Sequence, residues 1–82
     1  MWSVYIVECR DGSYYTGVSN NVVRRVDQHN ASSTVSAKYT RARRPVTLVY
    51  CKEIGTRSEA TKREAEIKKL TREEKKILIL GE

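Results

Sequence analysis

The chain has 82 residues, enough for one domain that would bury only about 60% of its unfolded surface. Sixteen lysines and arginines against ten acidic residues give a net charge of +6, which favours a polyanionic partner such as nucleic acid. The alternative is a charged surface that only keeps a small protein dissolved. No segment approaches the roughly 18 apolar residues of a membrane span, and the first residues lack the pattern of a secretion signal. We therefore expect a single cytoplasmic domain over residues 1–82 without membrane contact.

The two cysteines predict neither a zinc site nor a disulfide framework. Cys9 and Cys51 each lie inside an apolar run, without a Cys-x-x-Cys pattern or a neighbouring histidine. Both are expected to be small core residues.

Two short runs of β-forming residues, 2–9 and 13–18, predict a hairpin at the start of the chain. Residues 10–12 join the two runs and include a glycine. Because side chains alternate between the faces of a sheet, the loop length decides which residues of the two strands share a face.

The hairpin register decides whether two tyrosines lie together. A two-residue loop of Asp11 and Gly12 would put Tyr5 and Tyr15 on opposite faces of the sheet. A three-residue loop, with Gly12 in a left-handed bulge, would pair Tyr5 with Gly17 and bring Tyr15 beside Tyr5. We favour the three-residue loop.

A helix is predicted over residues 20–30, with Ser19 as its cap. Its apolar side consists of Val22, Val23 and Val26. At 100° per residue, Arg25 and His29 lie together along one margin of this side, whereas Arg24 points roughly opposite it. Arg25 and His29 are therefore expected to act as a pair, and Arg24 is expected to be solvated.

Residues 31–45 are rich in serine and threonine and then strongly basic, without a clear period, which predicts a surface loop. Four cations and one aromatic residue fall within seven positions: Lys38, Tyr39, Arg41, Arg43 and Arg44. Such a mixture can hold phosphates while stacking a base, and so predicts a nucleic-acid-binding loop. The alternative is a solvated basic loop.

The second half of the chain predicts one strand and two helices. Residues 46–54 are apolar on both faces, which indicates a central strand. Thr56 begins a capping box, and the helix after it should run to about residue 70. A second start signal at Thr71 predicts a short last helix that ends at Gly81 and packs back on the domain.

A carboxylate lies at the edge of the buried stripe of the Thr56-started helix. Ala60, Ile67 and Leu70 define that stripe, and Glu64 falls between the first two. Burying an unpaired charge is costly, so Glu64 should have a cationic partner. Periodicity alone favours a salt bridge to a nearby lysine or arginine; a metal ion is the alternative.

Four segments in chain order resemble the GIY-YIG endonuclease superfamily: Val4-Tyr5-Ile6, Tyr15-Thr16-Gly17, Arg25 with His29, and Ala60 to Glu64. Residues 11–17, 37–41, 44–46 and 63–68 are similar to its small stand-alone bacterial and viral members. The resemblance implies an α+β fold of β-β-α-β-α order, in which helices flank a three-stranded antiparallel sheet. The predicted last helix would follow.

The resemblance also implies a metal-dependent endonuclease that hydrolyses phosphodiester bonds, of DNA more than RNA, with branched or damaged DNA among its substrates, as in DNA repair. Glu64 would hold one Mg²⁺ or Mn²⁺ ion, and Arg25 would clamp a phosphate oxygen. Tyr5 or Tyr15 would take the proton from the attacking water, and His29 would assist as proton acceptor or hydrogen-bond partner. Relatives with known cleavage roles usually carry a second DNA-binding domain, so sequence selectivity should be weak here, or a protein partner would supply it.

Each of these residues also has an ordinary structural interpretation. The tyrosines would pack as amphipathic aromatics, as Tyr14 and Tyr50 are expected to do, and Arg25 would form a surface ion pair. A lone histidine is often structural. Two other functions follow: a non-catalytic adaptor that binds nucleic acid, RNA included, and a domain that docks on an acidic protein.

Overall fold

The computed structural model describes residues 1–31 and 38–81. The elements in chain order are β1 (Trp2–Glu8), β2 (Tyr14–Ser19), α1 (Val22–Asn30), α2 (Lys38–Arg41), β3 (Thr47–Gly55), α3 (Arg57–Lys68) and α4 (Arg72–Gly81). This order confirms the predicted α+β fold with its additional C-terminal helix. The short helix α2 corrects the expectation of a continuous loop over residues 31–45, of which 32–37 lie outside the described residues.

The sheet is antiparallel and has the strand order β2-β1-β3. Therefore β1 is the central strand, and the expectation that the strand over residues 46–54 is central was wrong. The hairpin places β2 against one edge of β1, so β3 occupies the other edge and has only one paired neighbour. Its apolar composition misled because Leu48 and Cys51 are exposed although they lie on the face that carries Val7 and Tyr5, so Cys51 is not a core residue.

The hairpin has the predicted three-residue loop. The Cys9 amide donates to the Ser13 carbonyl at 2.8 Å, and the Gly12 amide donates to the Cys9 carbonyl at 2.9 Å. Gly12 has a φ of 85°, in the left-handed region that glycine adopts without strain. As a result Tyr5 pairs with Gly17, and Tyr15 lies on the same face of the sheet as Tyr5.

The core has one cluster on each face of β1. Val4, Ile6, Tyr50 and Ile67 are buried under α3, while Tyr5, Val7, Cys9 and Val46 are buried on the α1 side. Tyr14 packs against the first cluster, so Tyr14 and Tyr50 have the packing roles expected of them. Leu78 and Ile79 attach α4 to this first cluster, although its Ile77 and Leu80 stay exposed. The site described below is built on the α1 face.

The helix starts show which caps the chain uses. The Asn21 side chain, not that of Ser19, caps α1 by accepting the Arg24 amide at 3.2 Å. Ser19 instead accepts the Asn21 amide at 2.9 Å, so the helix begins later than expected. The capping box at Thr56 is confirmed, and α3 ends at Lys68, slightly before its expected end. None of the helices in the described ranges combines the length and apolar composition that a membrane crossing requires.

Candidate active site

The centre of the site is a buried hydrogen bond between a strand and a helix. The Tyr5 hydroxyl of β1 lies 2.7 Å from His29 Nε2 of α1, and His29 Nδ1 lies 2.8 Å from the Thr40 hydroxyl of α2. Tyr5 is 1% exposed, and His29 and Thr40 are fully buried. Three polar side chains therefore form one continuous chain that connects β1, α1 and α2.

Gly17 makes room for this chain. A Cβ atom on Gly17 would lie 2.5 Å from the Tyr5 hydroxyl and 2.7 Å from the ring carbon that carries it. The Tyr5 ring thus crosses over β2 where that strand has no side chain. A steric requirement explains the glycine of the Tyr-x-Gly motif: the absence of a side chain lets the phenol of the neighbouring strand reach α1.

The pKa values of the two central groups move in opposite directions. Burial raises the pKa of Tyr5 to about 12, with Arg25 opposing the change and Tyr15 and Glu64 adding to it. Burial, together with the positive charge of Arg25, lowers the pKa of His29 to about 4. At pH 7 both side chains are neutral, so the phenol can donate to Nε2 while Nδ1–H donates to Thr40.

Tyr15 completes an aromatic group around the histidine. Its ring meets the His29 ring edge-on, with centroids 5.2 Å apart and an interplanar angle of 67°. The same ring stacks on Tyr39 at 5.8 Å and 27°. Tyr15 is half-buried, so it is more accessible from outside than Tyr5. The structure thus brings both sequence-predicted tyrosines into contact with His29.

Arg25 lies one helical turn before His29, as its spacing predicted. Its Nη1 donates to Gln28 Oε1 at 3.0 Å. Its guanidinium also hydrogen-bonds the Tyr5 side chain and lowers the pKa of that phenol, while it lowers the pKa of His29 as well. Arg25 therefore provides the positive charge at the edge of the buried pair.

Glu64 approaches the tyrosines from α3. Its side chain is 20% exposed, and its Oε2 lies 3.5 Å from Lys68 Nζ one turn later, so the ion pair that periodicity favoured is present. The Lys68 ammonium in turn lies 6.0 Å from the centroid of the Tyr15 ring. The carboxylate is near enough to Tyr5 to contribute to its raised pKa. Five predicted residues from four elements thus meet at one place.

The donor set here fits one kind of metal ion. Over residues 1–31 and 38–81, no three histidine, cysteine or acidic side chains group closely enough to form a metal cluster. Glu64 is a single, partly exposed carboxylate. Mg²⁺ is commonly held by one or two carboxylates together with water and substrate phosphate, whereas a structural zinc site needs four nitrogen or sulfur ligands. Glu64 fits the first arrangement and not the second.

The basic segment divides into two groups of residues. Lys38 and Arg41 are exposed on α2. Arg43 instead pairs with Asp11 at 3.1 Å and donates to the Tyr39 carbonyl at 2.9 Å, and Arg44 donates to the Arg41 carbonyl at 3.0 Å. Arg43 and Arg44 therefore hold the segment in place, whatever contacts they also make with a ligand.

Two residues of the site were missed from the sequence. Thr40 contacts His29 from eleven positions away, and Asp11 contacts Arg43 from 32 positions away. No short-range pattern marks either residue, because the first contact depends on where α2 packs against α1 and the second on where the residues after α2 meet the hairpin turn. The signal near Thr40 was the run of four cations with Tyr39, which predicted a nucleic-acid-binding loop but not the contact with His29.

Comparisons with known proteins agree with this geometry. A family model described as the GIY-YIG catalytic domain matches residues 1–77. The UPF0213 protein DP2720 of Desulfotalea psychrophila is 53% identical over 78 residues, which are 95% of this chain and 70% of that protein. The UPF0213 protein VNG_2274C of Halobacterium salinarum is 50% identical over 78 residues, 95% of this chain and 99% of that protein.

Two solution NMR structures are similar in both sequence and fold. The UPF0213 protein BH0048 from Bacillus halodurans is 44% identical, with a TM-score of 0.59 over 96% of this chain and 83% of that chain. The protein EF2693 from E. faecalis is 42% identical, with a TM-score of 0.62 over 96% of this chain and 82% of that chain. With its strand order and the residues gathered around Tyr5, the chain belongs to the GIY-YIG domain family and resembles its small UPF0213 members.

Proposed function

We propose that this protein is a metal-dependent endonuclease that hydrolyses phosphodiester bonds of DNA. The observation that carries the proposal is the buried hydrogen bond of 2.7 Å between Tyr5 and His29, flanked by Arg25 and Glu64. A purely structural pair would not need a cation and a carboxylate beside it. Branched or damaged DNA is the expected substrate.

Glu64 would hold the Mg²⁺ or Mn²⁺ ion, together with water and the substrate phosphate. When bound, the ion supplies Lewis-acid stabilisation to the scissile phosphate and the departing oxygen. Lys68, now paired with Glu64, is half exposed on a flexible stem and can move away from the carboxylate.

Arg25 would contact a non-bridging phosphate oxygen, where a guanidinium can donate two parallel hydrogen bonds. The contact would also make His29 a better proton acceptor. Arg25 contributes to the low pKa of His29, so a phosphate that neutralises the guanidinium raises the tendency of His29 to accept a proton. Substrate binding would thus prepare the base.

Tyr5 would take a proton from the attacking water while its own phenolic proton passes to His29 Nε2. Without this transfer a phenol of pKa about 12 is a poor acceptor at pH 7, because it is already protonated. The Thr40 hydroxyl at Nδ1 holds the imidazole in the orientation that the transfer needs. Tyr15, which is more accessible, is the alternative acceptor.

The test is nicking of supercoiled plasmid and cutting of single-stranded DNA, with Mg²⁺ or Mn²⁺ and with chelator. Glu64→Gln, Arg25→Ala and Tyr5→Phe should each abolish or strongly reduce cutting. Glu66→Gln is the matched control, since Glu66 is an exposed carboxylate of the same helix that pairs with Arg63 at 3.1 Å. Cutting that survives Glu64→Gln, or that chelator does not stop, would show that the proposal is wrong.

A non-catalytic adaptor that binds nucleic acid is the second candidate. The ion pair between Glu64 and Lys68 favours it, because this carboxylate already has a cationic partner. An adaptor would bind DNA or RNA in a salt-dependent way without cutting, and Glu64→Gln would not weaken that binding. A third possibility is a domain that docks on an acidic protein. Such a domain would bind neither DNA nor RNA at low salt.

A further inference from the structure

The end of β2 and the first turns of α1 line a half-open polar cavity of about 180 Å³ beside the candidate active site. Its lining residues are Ser19, Asn20, Asn21, Arg24, Arg25 and Gln28. Two of them are arginines and none is acidic. The cavity therefore presents positive charge and side-chain N–H groups to a ligand, which are the features that phosphate groups require.

Arg25 is shared between this cavity and the site. It lines the cavity, and it also hydrogen-bonds Tyr5 and lowers the pKa of His29. Its bond to Gln28 at 3.0 Å fixes the guanidinium at this boundary. A group bound in the cavity consequently lies next to any phosphate that Arg25 contacts in the site.

Arg24 provides the cavity with a second positive charge, in addition to that of Arg25. Its helical position predicted a solvated side chain, and the residue is exposed, but the side chain also lines the cavity. The backbone amide of Arg24 already donates to Asn21 Oδ1. That amide is therefore not open to an anion, which Arg24 would contact through its side chain.

The dimensions suit a phosphate of a nucleic-acid strand. A cavity of about 180 Å³ exceeds several-fold the about 30 Å³ that one water occupies in the liquid. Phosphates of one strand follow each other at about 3.4 Å along the axis of a duplex, so a neighbour is always close to the one at Arg25.

We propose that this cavity binds the phosphate adjacent to the one being cut, with Arg24 as its charged contact. The inference rests on the proposed function for the identity of the strand as substrate. The cavity would be a second phosphate-binding position, and the two positions together would set the direction in which the DNA strand crosses the site.

The test compares Arg24→Gln with Lys62→Gln, which removes the same charge from an exposed position of α3 that lines a different, shallow cavity. Binding of a short single-stranded DNA oligonucleotide is measured in chelator over a range of salt concentrations. Loss of one phosphate contact should lower the salt slope by about 0.7 and weaken binding about fivefold at about 0.1 M salt. Lys62→Gln should leave both quantities nearly unchanged.

A second variant, Asn20→Asp, places a carboxylate in the cavity without changing the size of the side chain. It should weaken binding at least as much as Arg24→Gln, whereas Asn20→Ser should not. Equal effects of Arg24→Gln and Lys62→Gln would mean that Arg24 acts only through net charge, and would overturn the proposal. Weaker binding with an unchanged salt slope would indicate a base contact and would also overturn it.

Plasmid nicking by the same proteins separates this inference from the proposed function. If the wild type cuts and Arg24→Gln binds as tightly as the wild type, the cavity proposal fails and the nuclease stands. If no protein cuts with any metal but Arg24→Gln shows the expected loss, the nuclease proposal fails and the phosphate site stands.

Discussion

The guanidinium of Arg43 lies 4.0 Å from the centroid of the Tyr39 ring, and the same arginine pairs with Asp11 in the hairpin turn. The Tyr39 ring in turn stacks on Tyr15. A series of contacts therefore extends from the turn of the hairpin to an aromatic ring that touches His29. These contacts give Tyr39 a structural role. The composition of the basic segment had suggested a second role for it, that of stacking on a base.

Removing the Tyr39 ring should loosen Tyr15. Tyr39→Ala loses a stacked aromatic pair and a cation–π contact, and should lower the free energy of unfolding by about 1 to 2 kcal/mol. Tyr39→Phe keeps both contacts and should behave like the wild type in urea unfolding and in plasmid nicking. If Tyr39→Phe were as impaired as Tyr39→Ala, the hydroxyl and not the stacked ring would be the important group.

Acid should destabilise the fold through His29. Its pKa of about 4 lies below the ordinary value of 6.5, so between these values the unfolded chain binds a proton that the folded protein does not. Stability is therefore fully present above about pH 6.5 and falls by about 3 kcal/mol as the pH drops to about 4.

Urea unfolding at several pH values measures this loss, and His29→Gln is the control because glutamine does not titrate. The pKa values of Asp11 and Glu59 are also lowered, by hydrogen bonds to Ser13 and Thr56 respectively, so their own losses occur at more acidic pH. Between about pH 6.5 and 5 the slope should belong to His29. An unchanged slope in His29→Gln over that interval would contradict the assignment.

The hydroxyl of Thr16 should be dispensable. Thr16 is 3% exposed, and within the described part of the chain its Oγ1 is a buried polar atom without a hydrogen-bond partner. Thr16→Val removes this group with little change of shape, and should raise the free energy of unfolding by about 1 kcal/mol. Thr47→Val at an exposed position should change it by less than about 0.5 kcal/mol. A loss of stability in Thr16→Val would indicate a hydrogen-bonded water at this hydroxyl.

The close approach of Tyr5 to β2 should make Gly17 intolerant of any side chain. The Cβ atom of Gly17→Ala would overlap the Tyr5 phenol, which must then move away from His29. We expect a loss of about 1 to 3 kcal/mol in stability, together with loss of nicking. Gly81→Ala is the control, since a Cβ atom there meets nothing within 4 Å. Normal activity in Gly17→Ala would show that Tyr5 need not reach His29.

The features that followed from the sequence are those set by local chemistry. The hairpin register depends on three loop residues that include Gly12. The start of α3 depends on Thr56 and Glu59, the two residues of the capping box. The spacing of Arg25 and His29 on one helix was likewise sufficient to place them together.

The features that did not follow are set by tertiary packing. Because β1 and β2 pair directly with each other, β3 can lie only at an edge of the three-stranded sheet, and the apolar composition of residues 46–54 does not record this. Cys51 was misplaced for the same reason. The cap of α1 was misassigned because Ser19 and Asn21 are both good caps, and the backbone geometry at the end of β2 decides between them.

The position of Cys51 makes it a site for selective labelling with a fluorescent dye. It is exposed and directly opposite Tyr5 in the sheet, whereas Cys9 is buried and burial raises the pKa of its thiol. A maleimide dye should therefore attach to Cys51 and leave Cys9 intact. Residues opposite each other in a sheet have Cβ atoms about 5 Å apart, so the dye would share a face with Tyr5 without replacing any residue of the site. The natural sequence already contains a single reporter position from which strand binding can be followed by fluorescence.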